Sequence, residues 1–202
     1  MIAVRAATQA DRTATAKLLA RAFIADPAMA YLFPDAEVRA GRLDRFFAMM
    51  TRVDAEVGNW SLAQDGDTPV AAALWRPPGA WATPVSAMLR QLPHLVRTFG
   101  LRLPQALALQ RVLEAHHPQA PHWYLQFAGC DPLAQGKGFG GAAIRARLAQ
   151  CDADGLPAAL ETATPSNLGL YQSLGFVIAD TYTIKNGPDF WTMWREPRCL
   201  EG

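Results

Sequence analysis

The stretch PHWYLQFAGCDPLAQGKGFGG, residues 121–141, decides the fold. Its first part, HWYLQFAGC at 122–130, has the aromatic and apolar composition of a buried strand. A glycine-rich turn then leads into GKGFGGAAIRARLAQCDADG at 136–155, which carries Ile144 and Leu148 on one face at helical spacing. Backbone N–H groups of such a turn, at the open N-terminus of a helix, form an anion site. The stretch therefore predicts a strand, an anion-binding turn and a helix in succession.

Taken alone, the glycine turn allows three interpretations. Gly136, Gly138 and Gly141 match the G-x-G-x-x-G dinucleotide fingerprint, with Glu161 located 20 residues beyond. A nicotinamide or flavin enzyme is disfavoured because only about forty residues follow Glu161, too few for further βαβ units. A P-loop is excluded because no Gly-Lys-Ser or Gly-Lys-Thr closes the turn. A plain connector could use fewer glycines, so a pyrophosphate cradle with Lys137 at its rim is favoured.

The rest of the chain predicts a mixed α/β sheet with helical covers, in a single domain spanning 1–202. A strand at 2–6 and helical segments precede a hairpin around Asp65-Gly66, a dipeptide typical of tight turns. Prolines divide 77–121 into short helices, which predicts a helical insertion between the third and fourth strands. This insertion is either a lid over the core or an element that shapes the substrate site. A strand, a short helix and a final hairpin complete the chain.

Composition restricts the class of partner. Half of the 202 residues are hydrophobic and the net charge is +1, so no strong attraction to nucleic acid or to an acidic membrane is expected. The three cysteines form no CxxC pair, which favours a reducing, cytoplasmic setting. The N-terminus lacks the apolar core of a signal peptide, and no apolar run is long enough to cross a bilayer. We expect a cytoplasmic monomer or homodimer.

Three stretches together carry a family resemblance: PHWYLQFAGCDPLAQGKGFGG at 121–141, LETATPSNLGLYQSLGF at 160–176 and GPDFWTMWREP at 187–197. Within the first, QGKGFG from Gln135 to Gly140 resembles the (Arg/Gln)-x-x-Gly-x-(Gly/Ala) acyl-CoA motif of the GNAT N-acetyltransferases. The chain resembles in particular the puromycin N-acetyltransferase-like branch, more weakly over its first hundred residues. The resemblance implies a single-domain GNAT fold, acetyl-CoA as co-substrate and no metal.

The resemblance also implies where acetyl-CoA binds, within 122–176. The strand that ends at Cys130 is expected to separate from the strand at 158–163, and the pantetheine arm of acetyl-CoA enters the gap. The glycine turn is expected to bind the pyrophosphate. Asn167 and Tyr171, four apart on one helical face, turn towards the arm, and Leu170 and Leu174 are expected on the adjacent buried face. The implied cofactor-binding residues are Ala128, Gly129, Cys130, Gln135, Gly136, Lys137, Gly138, Phe139, Gly140, Gly141, Asn167 and Tyr171.

The chemistry of amide formation selects the candidate catalytic residues. An amine attacks the thioester and a thiolate leaves, so a proton donor beside the sulfur lowers the barrier. The resemblance implies that Tyr171 reaches the sulfur, and a phenol suits the role of donor there because it stays protonated at neutral pH. Glu161 is the first candidate for the base that deprotonates the amine. Other candidates are Asp26, His122 and the pair His116 and His117, which are expected as solvent-exposed residues at a helix end; a water chain without a base is also possible.

The acceptor site is expected between the first helices and the final hairpin, opposite the cofactor. Aromatic and acidic side chains there could stack on a planar group or pair with an ammonium: Phe23, Asp26, Tyr31, Phe33, Trp75 and Trp191. The resemblance implies transfer of acetyl from acetyl-CoA to a primary amine in a ternary complex, and we expect the amine to belong to an antibiotic-like or aminoacyl small molecule. Acetylation of a protein or peptide amine and a non-catalytic CoA-binding sensor are the alternatives.

Overall fold

The computed structural model describes residues 2–57, 59–82 and 89–198. Within them lies one mixed sheet of seven strands: β1 (Ala3–Ala6), β2 (Asn59–Asp65), β3 (Thr68–Arg76), β4 (Trp123–Cys130), β5 (Ala158–Thr162), β6 (Val177–Thr183) and β7 (Asp189–Arg195). The strand order is β1-β2-β3-β4-β5-β7-β6. Strands β4 and β5 are parallel, and the other neighbours are antiparallel. The predicted α/β class with a mixed sheet is confirmed.

Helices cover both faces of this sheet. They are α1 (Arg12–Ala22), α2 (Pro27–Leu32), α3 (Ala36–Val57), α4 (Leu92–Phe99), α5 (Leu103–His116), α6 (Phe139–Ala153) and α7 (Leu168–Ser173). Both α4 and α5 have proline in their first turn, where the missing N–H costs no helical hydrogen bond. They lie between β3 and β4, so the predicted helical insertion is present.

Each face of the sheet has its own hydrophobic core. Leu74 on β3 packs with Leu19 of α1 and Phe47 of α3 on one face. The next residue, Trp75, packs with Ile144 of α6 on the other face. Successive side chains of a strand point to opposite faces, so neighbouring residues of β3 serve different cores. The cover formed by α1 to α5 and the cover formed by α6 are therefore separated by the sheet.

Strands β4 and β5 separate part-way along their length. Their pairing runs from Trp123 with Ala158 to Leu125 with Leu160. Beyond Leu125, β4 continues on β3 as far as Cys130, while β5 continues on β7. The facing edges of the two strands are left without a strand partner in the described residues, which creates a gap near the middle of the sheet.

Two turns and one helix test the local predictions. Gly66 and Asn186 have φ of 59° and 58° at the predicted hairpin turns, as tight turns of this kind require. The expectation that Leu170 is buried beside Leu174 is wrong, because Leu170 is 37% exposed on α7. No helix among the described residues has the length and apolar character to cross a membrane.

Candidate active site

A cavity of about 310 Å³ lies where β4 and β5 separate. The insertion helices α4 and α5 form one wall together with α2, α3 and Phe23, the residue just after α1, and β4 and β5 form its floor. Most of its lining is apolar, including Phe23, Met29, Phe46, Leu95, Phe99, Leu103, Ala106 and Leu113. A few polar groups converge on it, among them Asp26, His117, Tyr124, Glu161, Asn167 and Tyr171. An apolar cavity with few polar groups is typical of a small-molecule site.

The glycine turn lies at the N-terminus of α6. Gly136 and Gly138 have φ of 77° and 86°, a region that side chains other than glycine adopt at a cost. The helical ladder begins with Ala142, whose N–H donates to Gly138 O at 3.0 Å. The N–H groups of the preceding turn therefore have no helical carbonyl to bond. A Cβ added at Gly136 would meet no atom within 4 Å, so the turn has open space before it.

The predicted cofactor residues of the turn differ in their exposure. Gln135, Gly136, Lys137 and Gly138 are exposed around the turn, and Gln135 Nε2 donates to Cys130 O at 3.4 Å. Phe139 is buried among the residues packed under α6, so only its backbone can reach a ligand.

Gly129 serves the packing of α1 on β4. A Cβ added there would lie 2.9 Å from both Ala22 Cβ and Leu19 Cδ2, so a side chain would displace the helix. Ala128 and Cys130 lie on either side of it along β4 and pair with β3. Gly140 and Gly141 lie in the first turn of α6, where a Cβ at Gly140 would be 3.9 Å from Cys130 Cβ. The turn and the end of β4 are therefore in contact.

Tyr171 and Asn167 both line the cavity. Asn167 lies immediately before α7. Tyr171 lies on α7 and is 7% exposed. Burial, assisted by the charge of Asp26, raises the pKa of Tyr171 to about 12. Its hydroxyl therefore keeps its proton at neutral pH and can donate it inside the cavity.

Glu161 and His117 form a buried pair on the cavity wall. Glu161 Oε1 lies 2.7 Å from His117 Nδ1, and the two side chains are 4% and 3% exposed. His117 Nε2 lies 3.1 Å from His122 Nε2. The expectation that His117 is exposed is wrong, because the backbone becomes extended after α5 and turns His117 towards β5. Trp81 stacks on its ring at 4.0 Å.

His116, by contrast, stays at the surface and outside the cavity lining. Its side chain is 35% exposed and lies 2.6 Å from Asp180 Oδ2. Its ring stacks on Tyr182 at 3.8 Å. His116 and His117 are adjacent in sequence but lie in different environments, so the helix end itself does not determine their exposure.

Asp26 caps α2 and has both oxygens engaged. Its Oδ1 accepts from Met29 N at 3.0 Å and its Oδ2 from Thr164 Oγ1 at 2.9 Å. Burial raises the pKa of Asp26 despite these bonds. Glu161 differs, because its Oε2 is buried without a hydrogen-bond partner. Of the two carboxyl groups, Glu161 is the one that has a buried oxygen without a hydrogen-bond partner.

The predicted acceptor residues are distributed between the cavity and its surroundings. Phe23 and Asp26 line the cavity, whereas the other four do not belong to its described lining. Tyr31 OH donates to Lys185 O at 3.3 Å, and Phe33 stacks on Phe99 in the core. Trp75 and Trp191 pack in the core on the α6 side of the sheet. Sequence reasoning missed the α4 and α5 side chains and Tyr124, although apolar residues recur at helical spacing in the insertion.

No group of three or more histidine, cysteine, aspartate or glutamate side chains in the described part of the chain is placed to hold a metal ion.

Comparison with known proteins gives matches over the whole chain. The model of the acetyltransferase (GNAT) family matches residues 23–176. A Corynebacterium glutamicum structure, described as histone acetyltransferase HPA2 and related acetyltransferase, is 26% identical with a TM-score of 0.77, covering 100% of this chain and 99% of that one.

Two further structures share the fold at lower identity. Arylalkylamine N-acetyltransferase 2 from Aedes aegypti is 12% identical with a TM-score of 0.65, covering 98% of this chain and 99% of that one. The Drosophila melanogaster polyamine N-acetyltransferase, which forms N-acetylagmatine, is 16% identical with a TM-score of 0.61, covering 97% of this chain and 100% of that one.

Proposed function

The chain belongs to the acetyltransferase (GNAT) family, and on that premise we propose that it transfers the acetyl group of acetyl-CoA to a primary amine of a small molecule, by direct attack in a ternary complex. The observation that carries the proposal is that Tyr171, a proton donor, and Glu161, a carboxyl group with an unpartnered oxygen, line one cavity at the gap between β4 and β5. The two groups supply the acid and the base that amide formation requires.

The cofactor site fits the exposed turn and the unpaired strand edge. Backbone N–H groups from Gln135 to Gly141 hold the pyrophosphate, and Lys137 adds positive charge at the rim. The unpaired edge from Ala128 to Cys130 pairs with the amides of the pantetheine arm, as an added strand would. Asn167 holds the arm from the side of α7. Support comes from the open space before Gly136 and from the β4 edge left without a partner by β5.

The reaction then follows from the positions of the two side chains. The amine nitrogen attacks the thioester carbon, the new C–N bond forms and the C–S bond breaks. Tyr171 donates its proton to the departing thiolate, and Glu161 accepts the proton that the amine loses. Burial of both side chains in an apolar wall excludes water, which strengthens these interactions.

The cavity supports a small acceptor with an apolar body. Its volume of about 310 Å³ lies at the small end of the range for ligand pockets, and its phenylalanine and leucine walls suit an aryl or aliphatic group. An antibiotic-like or aminoacyl amine fits this description, and two fold neighbours are named for arylalkylamines and polyamines. The free thiols of Cys130 and Cys151 support a reducing, cytoplasmic setting.

A panel of acyl-CoA donors against small amines and peptides, with detection of the released CoA thiol, tests the proposal. We expect acetyl-CoA and apolar primary amines to give the highest rates, and Tyr171→Phe to abolish most of the turnover. Turnover with peptide amines alone would favour a protein acetyltransferase. Binding of CoA without turnover of any amine would favour a sensor and overturn the proposal.

A further inference from the structure

A chain of three hydrogen bonds links the backbone after α5 to the cavity. His122 Nδ1 lies 2.6 Å from Ala120 O, His122 Nε2 lies 3.1 Å from His117 Nε2, and His117 Nδ1 lies 2.7 Å from Glu161 Oε1. His117 and His122 are both buried. The chain ends at Glu161 Oε2, which is buried, without a hydrogen-bond partner, on a side chain that lines the cavity.

The number of protons in this chain follows from its donors and acceptors. Ala120 O can only accept, so His122 Nδ1 must carry a proton. One proton must lie between the two Nε2 atoms, and a third must lie between His117 Nδ1 and Glu161 Oε1. Every arrangement that forms all three bonds therefore has three protons and no net charge. Among the arrangements in which each ring keeps at least one proton, the charges lie on both groups of the His117–Glu161 pair, on His122 and Glu161, or on none of the three groups.

Other titratable side chains lie around the His122–His117–Glu161 hydrogen bonds. Burial, together with the charge of Glu161 and hydrogen bonding to Glu161, raises the pKa of Tyr124 on β4 well above its ordinary value. Arg76 on β3 faces Tyr124, and Tyr182 on β6 faces Glu161. Burial lowers the pKa of His122, which favours its neutral form at rest. Glu161 Oε2 is therefore the oxygen through which the chain can take a further proton.

We propose that the His122–His117–Glu161 chain accepts the proton of the acceptor's ammonium group at Glu161 Oε2 and moves the resulting positive charge onto the two histidines. The inference rests on the proposed function and goes further, because it assigns the acceptor site to the α5 end of the cavity and names two positioning residues. The ammonium N–H bond breaks, the proton binds Oε2, and the amine keeps the electron pair that attacks the thioester. The hydrogen-bonded chain then has one further proton and a net positive charge. Glu161 is a neutral acid, and the positive charge resides on His117 or His122.

The two histidines have a role in this proposal because they move the positive charge away from the reacting amine. Burial in an apolar wall disfavours both an ammonium and a carboxylate, which favours transfer of the proton from the amine to a carboxyl group. Proton shifts along the His117–Glu161 and His122–His117 hydrogen bonds place the positive charge on one of the two imidazole rings, away from the amine. His117 keeps Oε1 engaged and leaves Oε2 to the substrate, whereas His122 holds the proton of His117 in place. His122 is not among the described cavity-lining residues, and His117 is hydrogen-bonded to Glu161 through Nδ1, so in this proposal each histidine acts through Glu161.

The pH dependence of kcat/KM distinguishes this role from a structural one. For Glu161→Gln we expect a loss of about 10²–10⁴-fold at neutral pH, with kcat/KM then rising about tenfold per pH unit as the free amine becomes available. His117→Gln and His122→Gln are expected to show the same profile with smaller losses. His116→Gln is the matched control, since its imidazole is 35% exposed, pairs with Asp180 and is not part of the described cavity lining, and it should keep the wild-type profile.

Two further readouts separate failure of this inference from failure of the proposed function. A fluorinated apolar amine, already neutral at the assay pH, should restore most of the rate of Glu161→Gln, since no proton needs to be removed before attack. In proton NMR, a strongly downfield imidazole N–H resonance should be present in the wild-type protein and absent from Glu161→Gln, whether or not an amine is acetylated. Two results would overturn the proposed role of the His122–His117–Glu161 hydrogen bonds: an active wild-type enzyme whose variants keep the wild-type pH profile, or a resonance that is unchanged in Glu161→Gln. Absence of wild-type turnover would overturn the proposed function instead.

Discussion

Replacing Gly138 with alanine tests whether the turn before α6 holds a phosphate. Gly138 has φ of 86°, and an L-residue in this left-handed region costs about 1–2 kcal/mol. The added Cβ would lie 3.6 Å from Ile2 Cδ1, an ordinary contact that adds no clash. Gly155, just beyond the C-terminal end of α6, has φ of 65° and no atom within 4 Å of an added Cβ. Both alanine variants should therefore lose about 1–2 kcal/mol of free energy of unfolding.

The two variants should differ in their affinity for CoA. Relaxation of the backbone at Gly138 turns away N–H groups that bond a charged phosphate, each worth about 1.5–3 kcal/mol. We therefore expect Gly138→Ala to bind CoA about 10–100-fold more weakly, with pantetheine affinity unchanged because pantetheine has no pyrophosphate. Calorimetric titration with both ligands, beside urea unfolding of both variants, makes the comparison. Equal CoA affinity in Gly138→Ala and Gly155→Ala would refute the cradle.

Three other predictions concern the catalytic tyrosine, a buried carboxyl and the thiols. Tyr171→Phe keeps the ring and removes the proton donor, so kcat should fall about 10²–10⁴-fold while the CoA dissociation constant and melting temperature stay nearly constant; a rate within about threefold of wild type would remove Tyr171 from the mechanism. Because burial raises the pKa of Asp26, the folded chain holds that proton more tightly, so its contribution to stability is lost as pH rises through the folded pKa. The urea midpoint of the wild type should therefore fall as pH rises from about 4 to about 7, and the midpoint of Asp26→Asn should fall less. An equal fall in both proteins would contradict this. Thiol counting in denaturant without reductant should find Cys130 and Cys151 free, as the structure has them, and Cys199, outside the described residues, free as the sequence predicts; a count of one would indicate a disulfide.

The fold could be predicted from the sequence because its main signals are local. The strand, glycine turn and helix of 121–155 follow from composition and from the backbone freedom of glycine. Gly66 and Asn186 mark two hairpins through their positive φ. The order of elements along the chain and the position of the insertion follow from these segments, since each is predicted from residues that are close in the chain. The order of strands in the sheet depends on pairing between distant residues and is not predicted from these segments.

The site could be predicted only where its residues belong to such segments. Tyr171 and Glu161 lie in stretches of recognisable pattern and do line the cavity. Trp75 does not, because whether it or Leu74 faces α1 depends on the register of β3 on its neighbours. The burial of His117 depends on its contact with Glu161, which lies 44 residues away in the chain. Side-chain placement that depends on distant contacts cannot be read from a local pattern.

The most direct test of amine acetylation in this cavity measures both products in one sample while the cavity is filled. Ala106 lines the cavity from α5, and Ala108 on the same helix is exposed, so Ala106→Phe and Ala108→Phe form a matched pair. With acetyl-CoA and an apolar primary amine, we expect wild type and Ala108→Phe to release CoA thiol and N-acetylated amine in equal amounts. Ala106→Phe should release neither product and bind CoA as wild type does. Equal turnover by the two phenylalanine variants, or thiol release without N-acetylated amine, would contradict acetyl transfer to an amine in this cavity.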